Sequence, residues 1–206
     1  MSAEERLLIL LKAPILGTVK TRLAAEISPA TALGIYRQLL DQVINAMSPL
    51  PAVELHYTPA VEAPTVSPWL KPGWTLHPQK DGNLGHRMHH AFSQAFAAGA
   101  LRVVMVGTDC PAVEPADVRQ AWTALTTNDL VLGPALDGGY WLIGLNRPHP
   151  ELFNDINWST SAVLSETLAC AKQLGLSHQL LRPLSDVDTK ADWDAYQAAL
   201  SAQTLE

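Results

Sequence analysis

The sequence predicts an α/β fold with a mainly parallel sheet and helices on both of its faces. Short apolar runs of strand length alternate with segments whose apolar residues fall three and four apart, almost to the end of the chain. Each alternation implies a crossover, which makes successive strands parallel and lays the helices against the sheet. The chain has 206 residues and no clear internal boundary, repeat or low-complexity stretch, so one domain over 1–206 is expected.

Leu7–Leu11 reads as a buried strand, followed by a loop through Arg22. Ser28 is an N-cap with Pro29 at the first helical position, and Tyr36, Leu39, Leu40, Val43, Ile44 and Met47 form one helical face. Val53–Tyr57 is a second strand. Residues 59–73 hold four prolines and read as loop with one helical turn. Trp74–His77 is a short third strand, and Leu84, Met88, Ala91, Phe92, Ala95 and Phe96 share a helical face that ends near Gly99. Val103–Val106 is a fourth strand before "GTDCP", and Pro115 starts a helix through Leu125. Leu130–Leu132 and Tyr140–Leu145 are strands separated by "GPALDGG". A helix from about Ser161 to Leu174, a strand at His178–Leu181 and a final helix after "DVDT" complete the chain.

With 48% hydrophobic and 17% charged residues, the chain reads as a compact globule that needs neither disulfide nor metal to fold. A net charge of -6 argues against nucleic-acid binding but leaves room for a local cationic pocket that holds a small anion. Cys110 and Cys170 are isolated thiols without metal-type spacing, which suits a reduced, cytoplasmic setting. Glu4 and Glu5 before a five-residue apolar run do not make a signal peptide, and no run approaches a membrane span.

In such folds ligands sit at the carboxyl ends of the strands. Lys12, Gly17, Lys20 and Arg22 come directly after the first strand. Glycine permits close backbone approach, Arg22 offers a bidentate fork and Lys20 a point charge, a set suited to phosphate oxygens. A solvated basic loop is the plainer alternative, and the spacing is not that of a P-loop. Asp109 ends the fourth strand, where a single carboxylate could hold Mg²⁺ or Mn²⁺ with substrate phosphates, or could instead cap the next turn. Asp186 and Asp188, read as ending a strand, offer a second carboxylate. Either could serve, with Asp188, nearer the turn, favoured, and Asp188 or Thr189 could cap the last helix. Asp137, Gly138 and Gly139 read as a hairpin turn, or as a place where a sugar or acceptor lies against backbone while Asp137 bonds a hydroxyl or acts as base. Trp158 in "NWSTS" is a stacking platform or a core residue. "GNLGHRMHH" opens a helix at Asn83 whose N-terminus could receive a phosphate or ribose, and His86, His89 and His90 lack a metal-binding pattern.

The order "KAPILGTVKTRL", "GNLGHRM", "VVMVGTDCP", "GPALDGGYWLIGL", "NWSTS", "DVDTKADW" resembles the DUF2064 group of bacterial proteins over residues 7–196. That group is also called transferase 1, radical-SAM/selenodomain-associated, or arsenosugar-biosynthesis glycosyltransferase, and is similar to phospholactate guanylyltransferases and molybdenum-cofactor nucleotidyltransferases. The resemblance implies a GT-A-like three-layer α/β/α sandwich of the nucleotide-diphospho-sugar transferase superfamily, with a mostly parallel mixed sheet. It implies that Lys20 and Arg22 meet phosphates, that Asp109 holds the divalent metal, and that Asp188 is a second metal or substrate ligand. Two departures stand out. Family members often read Gly-Asp-Leu-Gly-Glu-Arg-Met where this chain has Gly82-Asn83-Leu84-Gly85-His86-Arg87-Met88, and glycosyltransferases often carry Asp-x-Asp where this chain has Asp109-Cys110-Pro111.

The expected activity is a metal-dependent transferase with a nucleotide-activated donor and a small-molecule acceptor, first of all a glycosyltransferase using a nucleotide sugar. A nucleotidyltransferase releasing pyrophosphate and a non-catalytic nucleotide sensor are the alternatives.

Overall fold

The computed structural model describes residues 4–203. Seven strands, β1 (Glu5–Lys12), β2 (Val53–Thr58), β3 (Thr75–Pro78), β4 (Arg102–Val106), β5 (Leu130–Pro134), β6 (Tyr140–Leu145) and β7 (His178–Leu180), form one sheet in the order β3-β2-β1-β4-β6-β5-β7. Every pairing is parallel except those of β6, which runs antiparallel to both β4 and β5. The reason is local: a turn of a few residues can join β5 to β6 only as a hairpin.

The helices are α1 (Thr21–Glu26), α2 (Pro29–Met47), α3 (Ala63–Val66), α4 (Leu84–Ala97), α5 (Pro115–Ala124), α6 (Val163–Gln173) and α7 (Lys190–Gln203). Period-two alternation along the strands splits the core in two. Leu7, Ile9, Val104 and Val131 face α2 and α5, where Tyr36, Leu40, Ile44, Val118 and Trp122 cover them. Leu8, Val103, Met105 and Ile143 face the other way, against Met88, Phe92 and Ala95 of α4 and Ala171 of α6. The fold is therefore the three-layer sandwich with a mostly parallel mixed sheet. A third cluster, Leu23, Ile35, Leu39 and Val187, ties α1 and α2 to the chain that precedes α7.

Local signals explain where the helices begin. Ser28 Oγ accepts a hydrogen bond from the Thr31 amide at 3.1 Å, and Asn83 Oδ1 accepts from the His86 amide at 2.9 Å. Three expectations change. The loop expected through Arg22 ends at Lys20, because α1 begins at Thr21. The proline-rich segment 59–73 carries α3 flanked by two short 3₁₀ turns. Asp186 and Asp188 do not end a strand: β7 stops at Leu180, and only Leu184 returns to the sheet, through a single parallel bridge to Ala135. Among the described residues no helix is long and apolar enough to cross a membrane.

Candidate active site

The carboxyl ends of β1 and β4 and the amino end of β6 open onto one cleft of about 840 Å³. Tyr36 of α2 fixes the end of β1, its hydroxyl accepting from the Lys12 amide at 3.0 Å and donating to the Lys12 carbonyl at 2.9 Å. The chain then loops out and re-enters at Lys20, the N-cap of α1. Lys20 sits in the left-handed region at φ 48°, ψ 47°, which costs a non-glycine residue about 1–2 kcal/mol. That backbone turns the side chain inward. Lys20 Nζ pairs with Asp109 Oδ1 and, at 2.9 Å, with Asp188 Oδ1.

Asp109 and Asp188 reach the lysine from distant parts of the chain. Asp109 follows β4, and its carbonyl accepts from the Val187 amide at 2.9 Å, which lays segment 186–188 alongside it. The same segment is anchored upstream. Arg182 forms a forked pair with Asp117 of α5 at 2.7 and 2.8 Å, and the Leu184 amide donates to the Pro134 carbonyl. Downstream, Asp192 Oδ2 accepts from the Asp188 and Thr189 amides and the Thr189 hydroxyl, and Thr189 Oγ1 accepts from the Asp192 amide at 3.2 Å, so Thr189 caps α7 and the Asp188 carboxylate stays free of capping. Asp109 does not cap α5 either: the Glu114 amide there donates to Asp117.

The charges are unequal. The Lys20 side chain is 3% exposed, while those of Asp109 and Asp188 are 50% and 41% exposed, so both carboxylates keep a solvent-facing side. Burial alone would lower the Lys20 pKa, but Asp109 and Asp188 outweigh it and hold the ammonium above its ordinary value. Burial, reinforced by the charges of Asp109, Asp137 and Asp188, pushes the Asp186 carboxyl up to about 7 against the opposing pull of Lys20. The cleft is lined by four carboxylates, Asp109, Asp137, Asp186 and Asp188, and by four cations, Lys12, Lys20, Arg22 and Arg87. Arg22 adds a guanidinium 3.9 Å from Asp188 with most of its surface in water. Cys110 is buried, and burial pushes its thiol up to about 12, which leaves it a protonated core residue.

On the far side of the cleft, Asp137 stands exposed at the β5–β6 turn, with Oδ1 accepting from the Gly139 amide at 2.8 Å. Trp158, Ser159 and Ser161 line the cleft on the neighbouring loop. Glu166 of α6 clamps that loop, accepting from the Asn157 amide at 2.7 Å and from Asn157 Nδ2 at 2.6 Å.

The profile of a family described as an uncharacterized protein conserved in bacteria, DUF2064, matches residues 40–160. The chain belongs to the DUF2064 family. The DUF2064 chain is 33% identical to a candidate nucleotide-diphospho-sugar transferase from Desulfovibrio desulfuricans, with a TM-score of 0.85 over 91% of this chain and 83% of that one. It also shares its fold with the inositol-1-phosphate CTP transferase of T. maritima (12% identity, TM-score 0.63, 93% and 92% covered). A Mycobacterium tuberculosis protein solved in complex with manganese is similar in the same way (16% identity, TM-score 0.58, 95% and 98% covered). No protein of curated function matches the sequence significantly. The DUF2064 chain thus has a GT-A-like fold.

Of the residues singled out in the sequence, Lys12, Lys20, Arg22, Asp109, Asp137, Gly139, Trp158 and Asp188 line the cleft of this DUF2064 protein. Gly17 and Asn83 are not among its lining residues: Gly17 lies on the exposed outer loop at φ 79°, and Asn83 caps α4, whose Leu84 and Arg87 reach the cleft instead. Gly138 leaves no room for a bulky ligand, because a Cβ there would stand 2.2 Å from the Ser161 carbonyl oxygen. Asp188 is favoured over Asp186 by the sequence, yet Asp186 also lines the cleft, near the three carboxylates of Asp109, Asp137 and Asp188. Arg182 and Glu166, which hold the site's loops, carry no local pattern that would have marked them. Among the described residues no three of His, Cys, Asp and Glu form a metal-binding group.

Proposed function

We propose that this DUF2064 protein is a transferase that uses a nucleotide-activated donor, with the donor's phosphates lying over the carboxyl ends of β1 and β4. The observation that carries the proposal is the convergence of Lys20, Asp109 and Asp188 in a cleft with Arg22 on its rim. Cations for phosphate and carboxylates for a cation stand within one side chain's reach of each other.

The carboxylates suit Mg²⁺ or Mn²⁺. Such ions take one or two carboxylates and fill their other positions with phosphate oxygens and water, so a three-residue protein cage is not needed. Asp109 and Asp188 would hold the ion, each with a solvent-facing side to its carboxylate. When bound, the ion would neutralise charge developing on the departing phosphates. Arg22 and Lys20 bind and orient the same phosphates. Asp137, at the opposite wall, is placed to take the proton of an acceptor hydroxyl.

The group transferred is read first as a glycosyl group, in keeping with the name of the Desulfovibrio relative. One observation favours nucleotidyl transfer instead: after Asp109 comes buried Cys110, so the end of β4 offers one carboxylate rather than an Asp-x-Asp pair. Product analysis with a panel of nucleotide sugars and nucleoside triphosphates plus Mn²⁺ separates the two. Nucleoside diphosphate marks glycosyl transfer and pyrophosphate marks nucleotidyl transfer. Binding without turnover would reduce the protein to a nucleotide sensor, and a lack of nucleotide binding would overturn the proposal.

A further inference from the structure

We infer that the Lys20 ammonium is the resident counter-ion of the Asp109–Asp188 pair, that a divalent cation displaces it, and that the displaced lysine then meets the donor's phosphates. This rests on the reading above that a divalent cation binds at these carboxylates.

Lys20 Nζ contacts Oδ1 of both aspartates at once, and its side chain is almost wholly buried between them. Arg22 does not share this task, since at 3.9 Å from Asp188 it is beyond hydrogen-bond range. An ammonium and a dication cannot both occupy the gap between two carboxylates, because they would stand a few ångströms apart with like charge. One must leave. Two carboxylates facing one ammonium leave a net negative charge, so replacing one positive charge by two matches the pair better than Lys20 alone does. The departure needs no refolding: the lysine stem has four rotatable carbons, and the α1 cap can keep its left-handed backbone while the side chain swings. The cleft into which it swings already holds Arg22 and Lys12. In the metal-free protein, then, the central cation for phosphate is sequestered, and metal binding releases it. Metal and nucleotide become coupled through one side chain.

The test reads the lysine directly. A small succinimidyl ester is applied to the full chain and labelling is followed at each lysine by mass spectrometry, with exposed Lys172 as internal reference. Lys20 should label slowly in metal-free protein, roughly tenfold faster with Mn²⁺ alone, and slowly again when a nucleoside diphosphate is added with Mn²⁺. In parallel, Mn²⁺ binding without nucleotide is titrated by electron paramagnetic resonance. Lys20→Met should bind Mn²⁺ about tenfold or more tightly than wild type, and Asp109→Asn should lose it. If Lys20→Met does not fold, the labelling of wild type decides alone. Mn²⁺ bound at Asp109 with unchanged Lys20 labelling and no gain in Lys20→Met would overturn the exchange and leave the metal site standing. No Mn²⁺ binding by either protein, with nucleotide affinity indifferent to Mn²⁺, would overturn the metal site and the exchange together.

Discussion

Arg22 shows how little a single cation is committed before a ligand arrives. It stands at the second position of α1, near Asp188 but without a hydrogen bond to it, and two thirds of its side chain faces water. An exposed contact of this kind adds little to stability. Its guanidinium is free to fork onto a phosphate, which Lys20 in its pocket is not. Arg22→Ala should weaken nucleoside diphosphate binding by about 1.5–3 kcal/mol, the scale of a charge-assisted hydrogen bond, and leave unfolding nearly unchanged. Calorimetric titration with the diphosphate and with the bare nucleoside checks this, and equal losses for the two ligands would contradict a phosphate role. At this scale the sequence was legible where a side chain follows a strand: Lys20, Arg22 and Asp109 are found by their place after β1 and β4. Asp186 was harder to see. Its position beside Asp109 depends on the Val187–Asp109 hydrogen bond and on the Arg182–Asp117 pair, both long-range contacts that local spacing does not encode.

The β5–β6 hairpin and the loop before α6 behave as one element. Gly138 at φ 92° presses its Cα against the Ser161 carbonyl, and its own carbonyl accepts from the Leu164 amide at 3.0 Å. Glu166 holds the other end of the loop through Asn157. Gly85 does similar work on α4, where a Cβ would stand 2.5 Å from Trp158 Nε1, so the indole is wedged between helix and loop. "DGG" was readable as a turn, since a hairpin joining two apolar runs calls for glycine. That the glycine serves loop packing rather than ligand space was not readable, because the partner, Ser161, lies on another loop more than twenty residues along the chain. Gly138→Ala should therefore destabilise the fold by about 2–4 kcal/mol, combining a left-handed backbone with a backbone clash. Urea unfolding gives the number, and an unchanged midpoint would show that hairpin and loop are not locked together.

Across the whole molecule the alternation of apolar runs with helical patterns was enough to give the layers, because burial on both sheet faces leaves a continuous apolar run in the central strands. It was not enough to give β6 its antiparallel direction or α1 its existence, which depend on a turn length and on one left-handed residue. The sheet also carries a polar group inside it. Glu54 and His56 of β2 are buried, with Arg6 Nη1 2.6 Å from Glu54 Oε1, His56 Nε2 3.1 Å from Glu54 Oε2, and the His77 ring of β3 stacked on His56. Burial would raise the Glu54 pKa, but the hydrogen bonds from His56 and Arg6 outweigh it and hold the carboxyl below its ordinary value. A depressed carboxyl stabilises the fold above its unfolded pKa, near 4.5, and that contribution is lost as pH falls through the folded value. His77 works in the same direction from a higher pH. Burial, only partly offset by the charge of Glu54, lowers its pKa from 6.5, so the folded state resists protonation and stability declines as pH falls below that value. Acid should therefore weaken this cluster in two steps, the first from His77 and the second from Glu54. Glu54→Gln should cost about 1.5–3 kcal/mol at pH 7, because it removes the charge from the hydrogen bonds of Arg6 and His56. The difference from wild type should shrink as pH drops below 4.5, where the unfolded wild-type chain takes up a proton at Glu54 and the folded one follows at lower pH. Urea unfolding at pH 7, 5.5 and 3.5 measures it. A gap that stays constant across the three would mean that Glu54 contributes through packing and not through its charge.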